Sequence, residues 1–237
     1  MAARQADGVS GRKAVGCSDR LREEVEQNPL SGVCGIGHTR WATHGKPSVE
    51  NCHPHFDTER RVALVHNGII ENYAELKAQL MKEGISFASE TDTEVVAQLL
   101  AYHYEKDMKT TLVKVLAMLK GSFALVILDR AAPDTLYCAR SHSPLVIGIG
   151  QGCHYVASDV CALLESTRRV YLPEDGAIAV VTPDKAAFFG LDGKERKRVS
   201  VTISWDTSAA QKNGFDHFML KEICEQPQVI ADTLAHY

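Results

Sequence analysis

Two short apolar runs, residues 33–37 and 62–65, each lead into a cluster of polar side chains, and this arrangement limits the folds open to the chain. The first is followed by His38, Thr39, Arg40, Trp41, Ala42, Thr43, His44 and Gly45, the second by His66, Asn67 and Gly68. Apolar runs of this length, bounded by glycine and polar residues, read as short buried strands. Both therefore place imidazole, guanidinium, indole and amide groups at strand ends, where rigid scaffolds present their sites. Residues 42–55 carry Gly45, Pro47 and Pro54 and read as a loop long enough to act as a lid. Taken singly these residues are ordinary. Asn67-Gly68 by itself spells a hairpin turn.

Composition narrows the class. A chain of 237 residues, 45% apolar and 24% charged, reads as a soluble globular protein. Its net charge of -4 gives no general affinity for nucleic acid. The basic run 194–198 follows Asp192-Gly193 and reads as a solvated hairpin arm. No stretch is apolar enough to span a bilayer or to serve as a signal segment, so no membrane partner is expected. The seven cysteines, Cys17, Cys34, Cys52, Cys138, Cys153, Cys161 and Cys224, have no framework spacing, which fits a reducing, cytoplasmic setting. His38, His44, Cys52, His53, His55 and His66 are zinc-ligand types, but their spacing matches no zinc motif. No metal and no cofactor are expected. His53 and His55 read as residues that orient the loop. Residues 148–152 lack the Lys-Ser/Thr of a phosphate loop and read as a tight turn.

Along the chain, Ser18 caps a helix over 18–26 with Leu21 and Val25 inward. A second helix spans 71–83 and ends on a left-handed Gly84. Thr91 and Glu94 have capping-box spacing ahead of a helix reaching about residue 107, with Asp92 at its first position, where the helix dipole favours a carboxylate. A further helix covers 111–119. Strands are expected over 122–128, 135–139, 145–149, 154–157, 178–181, 186–189 and 198–203, with a short helix at 159–166. A last helix starts at His217 and is interrupted at Pro227. Strands that arrive in blocks favour antiparallel sheets with helices on their outer faces, an α+β domain over 17–237. Residues 1–16 are polar and aperiodic and read as a disordered or non-native end.

The polar clusters suggest a ligand. Arg40 can grip a carboxylate with two parallel hydrogen bonds. Asn67 and the Gly68 N–H can face a developing oxyanion. Asp92 can take an ammonium. A carboxylate, an ammonium and a polarised carbonyl together describe an amino acid with a reactive side-chain amide, such as glutamine.

Three motifs, 38–45, 66–72 and 89–94, resemble the glutaminase domains of the glucosamine-6-phosphate synthase (isomerizing glutamine:fructose-6-phosphate aminotransferase) family. Residues 143–148, 157–159 and 221–227 fit the same family, and the resemblance runs from about residue 12 to the end. It implies a class II, type-2 glutamine amidotransferase with an N-terminal-nucleophile hydrolase-like fold, a four-layer αββα sandwich. It implies L-glutamine as substrate, with Arg40 on the α-carboxylate, Asp92 on the α-ammonium, and Asn67 and Gly68 as the oxyanion hole. It places Trp41 on the closing loop, has His44 and His53 help hold that loop and the site, and counts Thr43 among the substrate-binding residues. It further implies a homo-oligomeric parent enzyme that makes glucosamine 6-phosphate. Two departures accompany it. The family's terminal nucleophilic cysteine, with the opening strand and helix, is missing, and so is the isomerase half that binds fructose 6-phosphate. Cys34-Gly35-Ile36 imitates the catalytic start but reads as a buried thiol inside the chain. The expectation is a fragment inactive by itself; the alternative is a non-catalytic glutamine-binding or interaction module derived from the same domain.

Overall fold

A computed structural model describes residues 1–5, 8–204 and 214–235. Its first half contains β1 (Ala2–Gln5), β2 (Gly8–Gly11), α1 (Ser18–Gln27), β3 (Gly35–Ile36), β4 (His55–Phe56), β5 (Val62–Ile70), α2 (Tyr73–Lys82), α3 (Asp92–Tyr102) and α4 (Met108–Leu116). Its second half contains β6 (Gly121–Asp129), β7 (Ala132–Ser141), β8 (Val146–Ile149), β9 (His154–Ala157), β10 (Arg169–Tyr171), β11 (Ile178–Val181), β12 (Ala186–Phe189), β13 (Glu195–Arg196), β14 (Val201–Thr202) and α5 (Phe218–Ala235).

β5 and β6 make the longest strand pairing among the described residues. They pair antiparallel from Val62↔Asp129 to Ile70↔Gly121 within a seven-stranded sheet of order β13-β12-β11-β7-β6-β5-β4. Successive side chains of a strand face opposite sides, and here both sides are covered. Val62, Leu64, Phe123, Leu125 and Ile127 pack against Val95, Val96, Leu99 and Leu100 of α3 and Leu112 and Val115 of α4. Ala63, Val65, Ala124 and Leu128 pack on the other side with Ala2, Val9, Ile36, Leu145 and Ile147. Burial on both faces explains why these strands read as unbroken apolar runs.

The second layer is two small sheets, β2-β1-β3 and β14-β10-β8-β9. Between β3 and β9 lies a cavity of about 340 Å³, floored by Val65, Ala124, Val126 and Leu136 and reaching His38 and Asn67.

α3 owes its position to its start. The Thr91 hydroxyl accepts from the Glu94 N–H at 3.4 Å, as the capping-box spacing predicts. The Glu94 carboxylate instead accepts from the N–H groups of Ala88 (2.8 Å) and Ser89 (2.6 Å), which draws that turn onto the helix. Every residue from Asp92 to Leu100 is buried.

Several expectations need correction. The end expected to be disordered or non-native contains β1 and β2, which pair antiparallel, with Ala2 and Val9 buried. The strand expected at 33–37 shrinks to Gly35–Ile36, with Val33 85% exposed, because only these two residues pair with β1. Cys34 is half-buried rather than buried. Cys17, not Ser18, occupies the cap position of α1, without a side-chain bond. The helices from Asp92 and Met108 stop at Tyr102 and Leu116, short of the expected 107 and 119. α5 runs through Pro227 without a break. The region expected as one strand over 198–203 contributes only Val201–Thr202.

Candidate active site

β5 carries three site groups in succession, and it does so within the strand rather than at its end. Gly68 has φ +123°, and a Cβ there would lie 2.1 Å from the Ser122 carbonyl oxygen of β6. Only glycine brings the two backbones this close. Asn67 Oδ1 accepts from His38 Nε2 at 2.8 Å. That bond fixes the imidazole proton on Nε2 and leaves the Asn67 Nδ2 donors to the cavity that Asn67 lines. Burial holds the His38 pKa below the ordinary histidine value, as suits a neutral donor.

Asp92 opens α3 and is 3% exposed. Its Oδ2 accepts from the Ile70 N–H at 2.8 Å, which ties the end of β5 to the start of α3. Its Oδ1 accepts from the Thr93 hydroxyl at 3.4 Å. His66 Nδ1 lies 3.9 Å from Asp92 and 3.0 Å from Thr93 Oγ1.

The loop side is built on imidazoles. His53 Nδ1 accepts from the His66 N–H at 3.2 Å, so this nitrogen carries no proton. The His53 ring stacks on His38 with centroids 4.2 Å apart and meets His55 edge-on at 4.9 Å. Burial pushes the His53 pKa far below the ordinary range and that of His55 down to about 3. His55 is held by the Thr91 hydroxyl at 3.1 Å.

Arg40 turns inward on its own loop. Its guanidinium donates to the carbonyls of His44 (2.5 Å), Gly45 (2.7 Å) and Lys46 (3.3 Å). The next residue, Trp41, is 90% exposed. His44 stands edge-on to Tyr73 at 5.0 Å.

Arg40, Trp41, Thr43, His44, His53, Asn67, Gly68 and Asp92, the eight residues singled out in the sequence, all line one cavity of about 310 Å³. A buried carboxylate, a guanidinium and amide donors around such a space suit a small zwitterion with a polar side chain. Among the described residues no cysteine lines it. Cys34 packs beside Cys138 in the cluster behind β3, and burial raises its thiol pKa. A larger cavity of about 750 Å³ lies elsewhere, against Phe56 and Arg60. Sequence reasoning gave no role to His38, Thr93 or Asn51. Their partners lie far along the chain, 29 residues away for His38–Asn67 and 39 for Asn51–Glu90, where periodicity carries no signal.

Residues 38–165 match the family described as glutamine amidotransferase domain, and the chain belongs to that family. Solved structures agree on the fold. A glutamine phosphoribosylpyrophosphate amidotransferase from B. subtilis superposes with TM-score 0.66 at 27% identity, covering 83% of this chain and 43% of that one. The structure of an allosteric regulatory enzyme of purine biosynthesis superposes with TM-score 0.63 at 29% identity, covering 80% of this chain and 42% of that one. The fold is thus of the N-terminal-nucleophile, class II amidotransferase type, with mixed α+β composition.

More particular likeness is to proteins named glutamine–fructose-6-phosphate aminotransferase (isomerizing). One from Caldanaerobacter subterraneus subsp. tengcongensis is 49% identical over 95% of this chain and 37% of its own length. One from Aquifex aeolicus is 48% identical over 84% of this chain and 34% of its own length. One from Thermus thermophilus is 45% identical over 99% of this chain and 39% of its own length. The chain therefore spans little more than a third of these relatives.

Proposed function

We propose that this chain is the glutamine-binding, ammonia-releasing part of an isomerizing glutamine–fructose-6-phosphate aminotransferase. The observation that carries the reading is the gathering of all eight expected residues around one cavity. In this reading Arg40 takes the α-carboxylate of L-glutamine and Asp92 its α-ammonium, while Trp41, Thr43, His44 and His53 belong to the loop that closes over it. Asn67 Nδ2 and the Gly68 N–H receive the charge that develops on the amide oxygen. Ammonia then serves glucosamine 6-phosphate synthesis at a fructose 6-phosphate site on the portion of the relatives beyond this chain, in a homo-oligomeric, cytoplasmic enzyme.

The nucleophile must come from outside the described residues. The cavity between β3 and β9 offers the place: an apolar floor, a free strand edge on either side, and His38 and Asn67 at its end. A strand bearing a terminal cysteine would bring thiol and amine to the oxyanion donors. The acyl-enzyme route needs that thiol.

The test is titration of L-glutamine into this chain, followed by amide NMR, beside Asp92→Asn and Arg40→Ala. Each substitution should weaken binding at least about tenfold, the order expected for losing a charge-assisted contact. No response to millimolar L-glutamine, or a response that neither substitution changes, overturns the reading.

A further inference from the structure

We propose that Asn51 is a positioning residue that locks the Arg40 loop to the start of α3, so that the guanidinium and the Asp92 carboxylate keep one fixed spacing. This rests on the glutamine reading above and deepens it. Asn51 is 2% exposed and does not line the cavity. Its amide is used at both ends. Nδ2 donates to the Lys46 carbonyl and to Glu90 Oε2, each at 3.0 Å, and Oδ1 accepts from the Glu90 N–H at 2.9 Å. The same Lys46 carbonyl accepts from Arg40. Glu90 stands two residues before Asp92, next to the helix cap Thr91. A short path therefore joins the two charged groups: Arg40, the Lys46 carbonyl, the Asn51 amide, Glu90 and the first turn of α3.

The junction is tightly fitted. Gly45 has φ +75°, and a Cβ there would lie 2.6 Å from Asn51 Nδ2 and 3.1 Å from Glu90 Cβ. An amide is the side chain this place requires, because it must donate to a carbonyl and a carboxylate while accepting from an N–H. An aspartate of the same shape keeps the acceptor, loses the donor, and faces the Glu90 carboxylate with like charge. The carboxylate and ammonium of an α-amino acid are held at a fixed separation. Fixing the two receiving groups relative to each other is the preorganisation that such a ligand rewards.

The experiment uses the full chain with Trp205→Phe, which leaves Trp41 as the single indole and a reporter of the loop. Time-resolved Trp41 anisotropy and L-glutamine affinity are measured for this parent, Asn51→Asp and Glu90→Ala. In Asn51→Asp the fast, local part of the anisotropy decay should grow about twofold. Affinity should fall about tenfold as the competent loop becomes a minority state, since apparent affinity scales with that population. Glu90→Ala, at an exposed position that leaves folding intact, should move both readouts the same way by about two- to threefold. Folded variants with parental anisotropy and affinity overturn the proposal, as does a lowered melting temperature with both readouts unmoved, which marks a merely structural role. If the parent binds no L-glutamine, the glutamine reading fails, and Trp41 anisotropy alone decides for or against the Asn51 lock.

Discussion

Asp92 and Arg40 line the same cavity, yet Asp92 is buried and accepts the Ile70 N–H, whereas Arg40 is half-buried and directs its guanidinium to three carbonyls of its own loop. The position of Asp92 is set by β5, α3 and the core between them. The position of Arg40 is set by carbonyls no more than six residues along the chain. Under the proposed function, a ligand carboxylate at Arg40 would compete with backbone carbonyls already in place, whereas an ammonium at Asp92 would meet a carboxylate that keeps its bond from the Ile70 N–H. The proposed recognition of opposite charges would then be divided between a rigid wall and an adjustable one.

Acidification tests how the two walls are joined and has the largest expected effect. His38, His53 and His55 on the loop side and His66 on β5 all have pKa values held down by burial. The unfolded chain takes up protons near the ordinary value of about 6.5, while the folded imidazoles take them up only at lower pH, His55 at about 3. Stability from these groups is therefore complete above about pH 6.5 and lost as the pH falls, for His55 down to about 3. His55 contributes up to about 1.4 kcal/mol per pH unit over that window. Urea unfolding at pH 7, 6 and 5 reads the slope, and a midpoint that stays level would mean that the folded cluster already carries charge.

The rigid wall alone is broken by Gly68→Ala. Placing a Cβ against the Ser122 carbonyl, at a φ that favours glycine, should cost on the order of 3 kcal/mol. A loss below about 1 kcal/mol in denaturant unfolding would show that β5 yields more than its pairing implies. The finest comparison sets Asp92→Asn against Arg40→Lys without ligand. Asp92→Asn keeps an oxygen for the Ile70 N–H but loses its charge, and should cost about 1–2 kcal/mol. Arg40→Lys should change global stability by less than about 0.5 kcal/mol, while amide exchange over residues 41–46 quickens several-fold. Equal costs for the two would erase the distinction between the walls.

What was legible in the sequence was local. Thr91 capping, the left-handed Gly84 and the apolar runs of β5 and β6 each depend on neighbours within a turn or a strand. Asn67-Gly68 shows where locality fails. As a dipeptide it spells a turn, but pairing with Ala124 and Phe123 carries the strand on to Ile70. The pairing of β1 with β2 was not legible because, among its described side chains, only Ala2 and Val9 are buried, too few positions to make a pattern. At the site, residue types announced the chemistry. The orientation of Asn67 by His38 and the link from Asn51 to Glu90 come from chain segments that only the fold brings together.

β5 pairs with β6 at nine positions. His66, Asn67 and Gly68 are strand-paired on one side only, with β6, because β4 reaches no farther than Ala63 and Leu64. On the other side the N–H groups of His66 and Ile70 are taken by His53 Nδ1 and Asp92 Oδ2. Opening of this stretch of backbone is therefore tied to the loop that carries His53 and to the first turn of α3, not to the sheet alone.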